Sequence, residues 1–271
     1  MELSKIMKRR IIEHFKEGKR FDGRVPLDYR KLNIETGISQ NAEGSAKVKL
    51  GNTEVVAGVK MDVSEPYTDH EDEGTLIISV ELMPMSSPRF EPGPPSIEAI
   101  EIARIVDRGL RESKFIDFKK LCIKKREKVW GIFVDLYALN DDGSLIDACA
   151  IAALSALLTA RMPKYDEKEE RVEYGEFTSK KIPLNENVPV TMTFYKAGKS
   201  IILDPTREEE ESSEARLSLA LSRIKNKLSI NALQKGGEDT FTEEEIFKII
   251  DLAVENFGKI EKEIKIQLNL Q

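Results

Sequence analysis

Two apolar alternations that fold back on themselves constrain this chain most. In the later one, Val188, Val190, Met192 and Phe194 alternate with polar neighbours, Ala197-Gly198-Lys199 supplies a turn, and Ser200-Ile201-Ile202-Leu203 runs back to Asp204-Pro205. In the earlier one, Ile34 and Gly44-Ser45 lead into Ala46, Val48 and Leu50, Gly51-Asn52-Thr53 turns the chain, and Val55, Ala57 and Val59 return. Each hairpin is followed by a segment that reads as helical, Ser96 to Ser113 in the first case and Glu208 to Lys227 in the second. The common layout points to a duplicated strands-then-helix unit.

Carboxylates gather where the second hairpin ends. Thr206 reads as an N-cap with Glu209 closing a capping box, and Ala215, Leu217, Leu219, Ala220 and Leu221 read as the apolar positions of the helix that follows. Asp204 and Glu208 to Glu211 then have two readings. They are metal ligands or acid-base groups, or they are first-turn carboxylates that complement a helix dipole.

Composition narrows the class. With 271 residues, 40% apolar and 33% charged, the chain can bury a proper core. No segment approaches a membrane span, and residues 1 to 19 mix Lys, Arg and Glu where a signal peptide would carry an unbroken apolar run, so the expected compartment is cytoplasmic. Cys122 and Cys149 provide neither a disulfide framework nor zinc-finger spacing. A net charge of −6 requires any nucleic-acid contact to come from a local basic patch.

Along the chain, Ile6, Ile11, Ile12 and Phe15 predict an N-terminal amphipathic helix that Gly18 stops, followed by an Arg20-Phe21-Asp22-Gly23-Arg24 turn in which Asp22 can pair with a neighbouring arginine. Asp69 to Gly74 reads as an acidic loop whose His70 is more simply solvated than metal-bound, Leu76 to Leu82 as a strand, and Ser86 to Pro95 as a proline-rich loop. From Ile97 a helix is predicted with Ile100, Ala103, Val106 and Leu110 buried, and with Arg104, Arg108 and Arg111 in a row that can track phosphates. The alternative pairs Asp107 with Arg111 and Glu101 with Arg104, which leaves an ordinary charged face. Basic residues recur from Lys119 to Lys128. Val129 to Leu139 predicts a long strand, and Ser144 is expected to cap an Ala-rich core helix from Leu145 to Ala160. Tyr165 to Arg171 reads as a charged loop, Tyr174 to Ile182 as a polar connector, and Thr242 with Glu245 as the capping box of a last long helix.

Taken together, Arg20-Phe21-Asp22-Gly23-Arg24, Gly44-Ser45-Ala46, Gly51-Asn52-Thr53, the Glu-Pro-Gly-Pro-Pro of residues 91 to 95 and Asp141 to Ala148 resemble the RNase PH family over nearly the whole chain. More narrowly, Pro66-Tyr67, the proline loop, Ile102 to Arg108 and Leu145-Ile146-Asp147-Ala148 resemble the non-catalytic RNase PH-type ring subunit of the archaeal exosome. The resemblance implies a single RNase PH-like α+β domain over 1–271, with an N-terminal helix at 1–17 and two pseudo-repeated βαβα halves at about 20–160 and 185–268.

Its chemistry can be checked against residues. Phosphorolysis moves the 3′-terminal phosphodiester of RNA onto inorganic phosphate, which needs cations and hydroxyls for phosphate and a carboxylate as acid or metal ligand. Where active members carry Gly-(Thr/Ser)-Arg, this chain has Gly143-Ser144-Leu145, and where they carry Glu-Ala-Asp it has Glu214-Ala215-Arg216. An arginine cannot donate a proton at neutral pH. The resemblance therefore implies no catalytic residue, cofactor or metal of its own, and a catalytic RNase PH-type subunit as partner in an alternating hexameric ring. It further implies RNA-binding cap subunits, and contact with single-stranded RNA through Arg104, Arg108 and Arg111. Two competing readings are an autonomous phosphate-dependent 3′-5′ exoribonuclease and a metal-dependent metabolic enzyme built on Asp204 and Glu208 to Glu211.

Overall fold

Strand patterning and helix caps divide the chain into two sheets that share the helices between them. The computed structural model describes residues 3–166, 168–225 and 227–269. Residues at the extreme ends of the expected 1–271 domain, including the first two of the expected N-terminal helix, lie outside the described residues.

Helix α1 (Lys5–Lys16) starts at Ser4, whose side chain accepts from the Met7 amide, and ends before Gly18 at φ 71°, a left-handed conformation that glycine adopts without a Cβ penalty. It buries Ile11 and Phe15 against Tyr195, Ala197 and Ile202 in a small satellite core. The first sheet then forms from β1 (Leu32–Thr36), β2 (Gly44–Leu50), β3 (Thr53–Ser64), β4 (Thr75–Leu82), β5 (Cys122–Lys124) and β6 (Lys128–Asn140), in the order β1-β2-β3-β6-β4 with β5 beside β6. Its pairings are antiparallel except β4 with β6, which are joined by a crossover through α2 (Ile97–Glu112).

Helix α3 (Leu145–Thr159) is buried along almost its whole length, because Ala148, Ala152, Ala153 and Ala156 allow it to lie close against the first sheet. Its approach to β2 is so close that a Cβ on Gly44 would sit 2.3 Å from the Ala156 carbonyl oxygen. Only glycine fits there. A hairpin of β7 (Arg161–Asp166) and β8 (Arg171–Lys181) links the halves. The second sheet is antiparallel throughout, with β9 (Val190–Ala197), β10 (Ser200–Leu203), β11 (Ala215–Ile224) and β12 (Lys227–Gly237) in the order β10-β9-β11-β12. A short α4 (Arg207–Ser212) lies between β10 and β11, and α5 (Glu243–Gln267) closes the chain behind the capping box of Thr242 and Glu245. One hydrophobic cluster runs from Leu32 to Ile264 through both sheets.

Two expectations are overturned. Within the segment expected as helix, residues 208–212 end a short helix and 215–224 form a strand, residue 226 lying outside the described residues: β11 lies between β9 and β12 and buries both faces, Leu217, Leu219 and Leu221 on one side and Ser218, Ala220 and Ser222 on the other. A strand buried on both faces loses the apolar-polar alternation, so its run of Leu, Ser and Ala mimics a helix. The duplication therefore holds as sheets with packed helices and not as copied units. The segment around Tyr165–Arg171 and Tyr174–Ile182 is a hairpin, apart from residue 167, which lies outside the described residues. Its strands are Lys- and Glu-rich and largely exposed or half-buried, with one buried residue on each, Pro163 and Val172, so hydrophobic periodicity gave no signal.

Candidate nucleic-acid interface

The cationic face of α2 is created by the way the helix is seated. Ser96 caps it by accepting from the Ala99 amide at 3.2 Å, and Ala99, Ile102, Ile105, Val106, Gly109 and Leu110 are buried. Gly109 allows contact with the second sheet, since a Cβ there would already meet the Ala220 methyl at 3.2 Å. The buried stripe is thus rotated from the expected one: Val106 and Leu110 are buried, but Ile100 is 50% exposed and Ala103 is half-buried. This helix has neighbours on two sides, β4 and β11/β12, so its buried arc is wider than one stripe and centred differently.

The three arginines differ in what holds them. Arg111 is tied down: its guanidinium donates to both oxygens of Asp107 at 2.7 and 3.1 Å and to the Leu76 carbonyl at 3.0 Å, and lies 5.5 Å from the Phe118 ring centre. The hydrogen bonds and charge of Asp107 raise its pKa against the opposing effect of burial. Arg108 is exposed and makes one long contact, 3.4 Å to Gln234 Oε1. Arg104 is exposed and, among the described residues, has no hydrogen bond or ion pair. The Asp107–Arg111 pair of the bland reading exists, whereas the Glu101–Arg104 pair does not: Glu101 instead meets Arg216 at 2.6 Å. Two grooves of about 520 and 440 Å³ flank α2, one along β4 from Ile78 to Glu81 and one over Ser218, Ala220, Ala232 and Gln234. Arg104 and Arg108 line both.

The basic run after α2 offers less. Lys120 pairs with Asp117, Lys124 with Glu127, Arg126 with Glu71 and Lys128 with Glu170, at 2.6 to 2.9 Å. His70 lies in an exposed loop 3.0 Å from Glu73.

A second centre forms where the turn before α3 meets α4. Asp204 accepts from Arg24 Nη1 at 3.0 Å, from the Arg30 amide at 2.6 Å and from Arg30 Nη2 at 2.7 Å, and Arg30 also donates to the carbonyls of Asp142 and Gly143. Arg20, 4% exposed, pairs with Glu209 and donates to the carbonyls of Leu203 and Asp204. The Arg24–Asp22 surface pair expected from the sequence is present at 2.7 Å, but the same turn carries this buried arginine inward. Glu211 pairs with Arg207 at 2.8 Å, Glu210 accepts from the Ser144 amide and the Tyr195 hydroxyl, each at 3.1 Å, and Glu208 is exposed. Of the carboxylates weighed as metal ligands, Asp204, Glu209 and Glu211 neutralise arginines, and no group of three His, Cys, Asp or Glu side chains suited to a metal occurs among the described residues.

Ser144 stands at the N-cap position of α3 with φ 55°, and its buried hydroxyl caps nothing. The left-handed backbone turns that hydroxyl away from the helix amides, so the expected side-chain cap is absent. Leu145, where a phosphate-binding arginine would stand, is 3% exposed in the core. One turn on, Asp147 is fully buried and accepts from the Tyr29 hydroxyl at 2.6 Å, the Thr193 hydroxyl at 2.7 Å and the Thr193 amide at 3.1 Å. Burial outweighs these donors and raises its pKa from 3.8 to about 6.

The folded chain therefore holds the Asp147 proton where the unfolded chain has lost it, and stability falls as pH rises from about 4 to about 6, by roughly 3 kcal/mol at most. Asp147→Asn carries no such charge. Denaturant titrations should show the variant gaining on the wild type across that window and then levelling off, and a pH-independent difference would disprove the assignment.

A mixed sheet and an antiparallel sheet around shared helices, with an exposed cationic helix crest and an arginine-filled turn centre, define an α+β class. Comparison with known proteins fixes the family. Residues 28–163 match the 3′ exoribonuclease family domain 1 model and residues 187–256 match domain 2, so the chain belongs to the RNase PH family of 3′ exoribonucleases.

Among curated relatives, the exosome complex component Rrp42 of Methanosarcina acetivorans is 46% identical over 90% of this chain and 88% of its own length. That of Thermococcus gammatolerans is 43% identical over 95% and 93%. Among solved structures, a chain of the Archaeoglobus fulgidus exosome with RNA bound to the active site superposes with a TM-score of 0.86 at 38% identity, covering 96% of this chain and 98% of that one. A chain of an archaeal exosome core superposes with a TM-score of 0.82 at 35% identity, covering 96% of each.

Proposed function

We propose that this chain is the non-catalytic RNase PH-type subunit of an archaeal exosome ring, which alternates with a catalytic subunit of the same family in a complex that degrades RNA 3′ to 5′ by phosphorolysis in the cytoplasm. One observation carries the reading. The two positions that need a phosphate-binding guanidinium and a proton-donating acid hold a core leucine, Leu145, and an ion-paired arginine, Arg216, while α2 presents Arg104 without a protein partner. Arg104 and Arg108 then contact the phosphates of single-stranded RNA, fixing the strand without reading its bases. Arg111 anchors α2 to β4 through Asp107 and the Leu76 carbonyl. RNA-binding cap subunits complete the assembly.

The test is release of nucleoside diphosphates from poly(A) with phosphate and magnesium, measured for this chain alone and for the chain mixed with its catalytic partner. Activity only in the mixture, with co-elution as a larger species, is expected. Turnover by this chain alone would overturn the proposal in favour of an autonomous phosphorolytic exoribonuclease.

A further inference from the structure

The freedom of Arg104 needs an explanation, because a glutamate stands three residues before it on the same helix. Glu101 and Arg104 are spaced to pair across one helical turn, and such pairs form readily on exposed helices. In this chain the carboxylate is engaged elsewhere. Arg216, on β11, reaches across to α2 and meets Glu101 Oε2 at 2.6 Å. Its guanidinium lies over Gly236, its partner across the β11–β12 ladder, where a Cβ would fall 2.5 Å from the Arg216 Cζ. Arg216 is mostly buried, its side chain 15% exposed against 34% for Glu101, and with its Nη1 buried without a hydrogen bond the Glu101 carboxylate is the acid that answers its charge. A residue without a side chain at 236 and a long cation at 216 together direct Glu101 toward the second sheet and away from the helix crest.

We infer that Arg216 is a positioning residue for RNA binding: by holding Glu101 it keeps Arg104 unpaired and removes a free negative charge from the phosphate path. The inference rests on the proposed contact between Arg104 and RNA. It gives Arg216 a role of its own, since the residue that replaces an acid also disarms the nearest acid on α2. Arg216 acts through Glu101 and need not touch RNA.

The experiment measures affinity for a single-stranded oligo(A) by the assembled complex. Wild type, Arg216→Met, Glu101→Gln and the double variant are compared. Methionine keeps an unbranched apolar chain beside Gly236 without the charge. Arg216→Met should weaken binding about three- to tenfold at low salt, because Glu101 both engages Arg104 and repels phosphate. Glu101→Gln alone should leave affinity unchanged or slightly tighter, and adding it to Arg216→Met should restore binding to within about twofold of the wild type.

A double variant as weak as Arg216→Met would overturn the inference, since it would mean that Arg216 contacts RNA or only supports the fold. Unchanged binding by Arg216→Met would also overturn it. Should Arg216→Met fail to assemble, Arg216→Lys, which keeps the cation, against Arg216→Gln, which does not, gives the same contrast. Arg104→Ala in the same complex separates the two claims: if it binds as wild type, the proposed RNA contact itself fails. If Arg104→Ala weakens binding and Arg216→Met does not, only the positioning role fails.

Discussion

Replacing Asp204 with alanine is expected to lower the unfolding free energy by about 3 to 5 kcal/mol, the usual cost of stranding buried charges. Asp204 is 0% exposed and receives Arg24 and Arg30, whose side chains are 13% and 8% exposed. Removing it takes from Arg30 its closest carboxylate and leaves Arg24 with Asp22 alone, both guanidinium groups being mostly buried. The loss extends beyond one pair, because Arg30, which this carboxylate positions, also holds the carbonyls of Asp142 and Gly143. The 24–30 segment is joined to the end of β10 through this carboxylate, and to the turn before α3 through the Arg30 that it holds. Guanidinium-chloride unfolding of the chain measures the effect. The control is Lys124→Ala, which removes an exposed pair at 2.6 Å and should change stability by less than about 1 kcal/mol. A loss at Asp204 as small as at Lys124 would mean that the network is dispensable.

Reversing both crest charges, Arg104→Glu with Arg108→Glu, should weaken single-stranded RNA binding by the assembled complex about tenfold or more at moderate salt. Each lost phosphate contact should also reduce the salt slope by about 0.7 to 1 unit. Folding should be almost unaffected, within about 0.5 kcal/mol, since both side chains are exposed and neither is held in an ion pair. Arg111→Glu should behave in the opposite way, destabilising the chain through Asp107 and Leu76 before it alters RNA contact. Equal affinity of the wild type and the double variant at low and moderate salt would sink the RNA-contact assignment.

Much of the fold was legible because local signals were strong. Gly51-Asn52-Thr53 and Ala197-Gly198-Lys199 turn where the sequence places them, β2–β3 and β9–β10 form the two expected hairpins, and the Thr242–Glu245 capping box begins α5. Failures came where burial on both faces, or on neither, erased periodicity, as at β11 and at the β7–β8 hairpin. The candidate site was half legible. Three arginines at spacings of four and three lie on α2 as expected, but their different fates depend on Asp107, Gln234 and Glu101, and the last of these on Arg216, more than a hundred residues away.

Sequence by itself determined the β2–β3 and β9–β10 hairpins, the capping box of α5 and the α+β class, since these depend on residue type and on neighbours within a few positions. Tertiary structure alone decided which cations stay free. An ion pair forms with whichever opposite charge the fold brings within about 4 Å, and that choice is fixed by how β11 packs against α2 and not by the spacing of charges along either one.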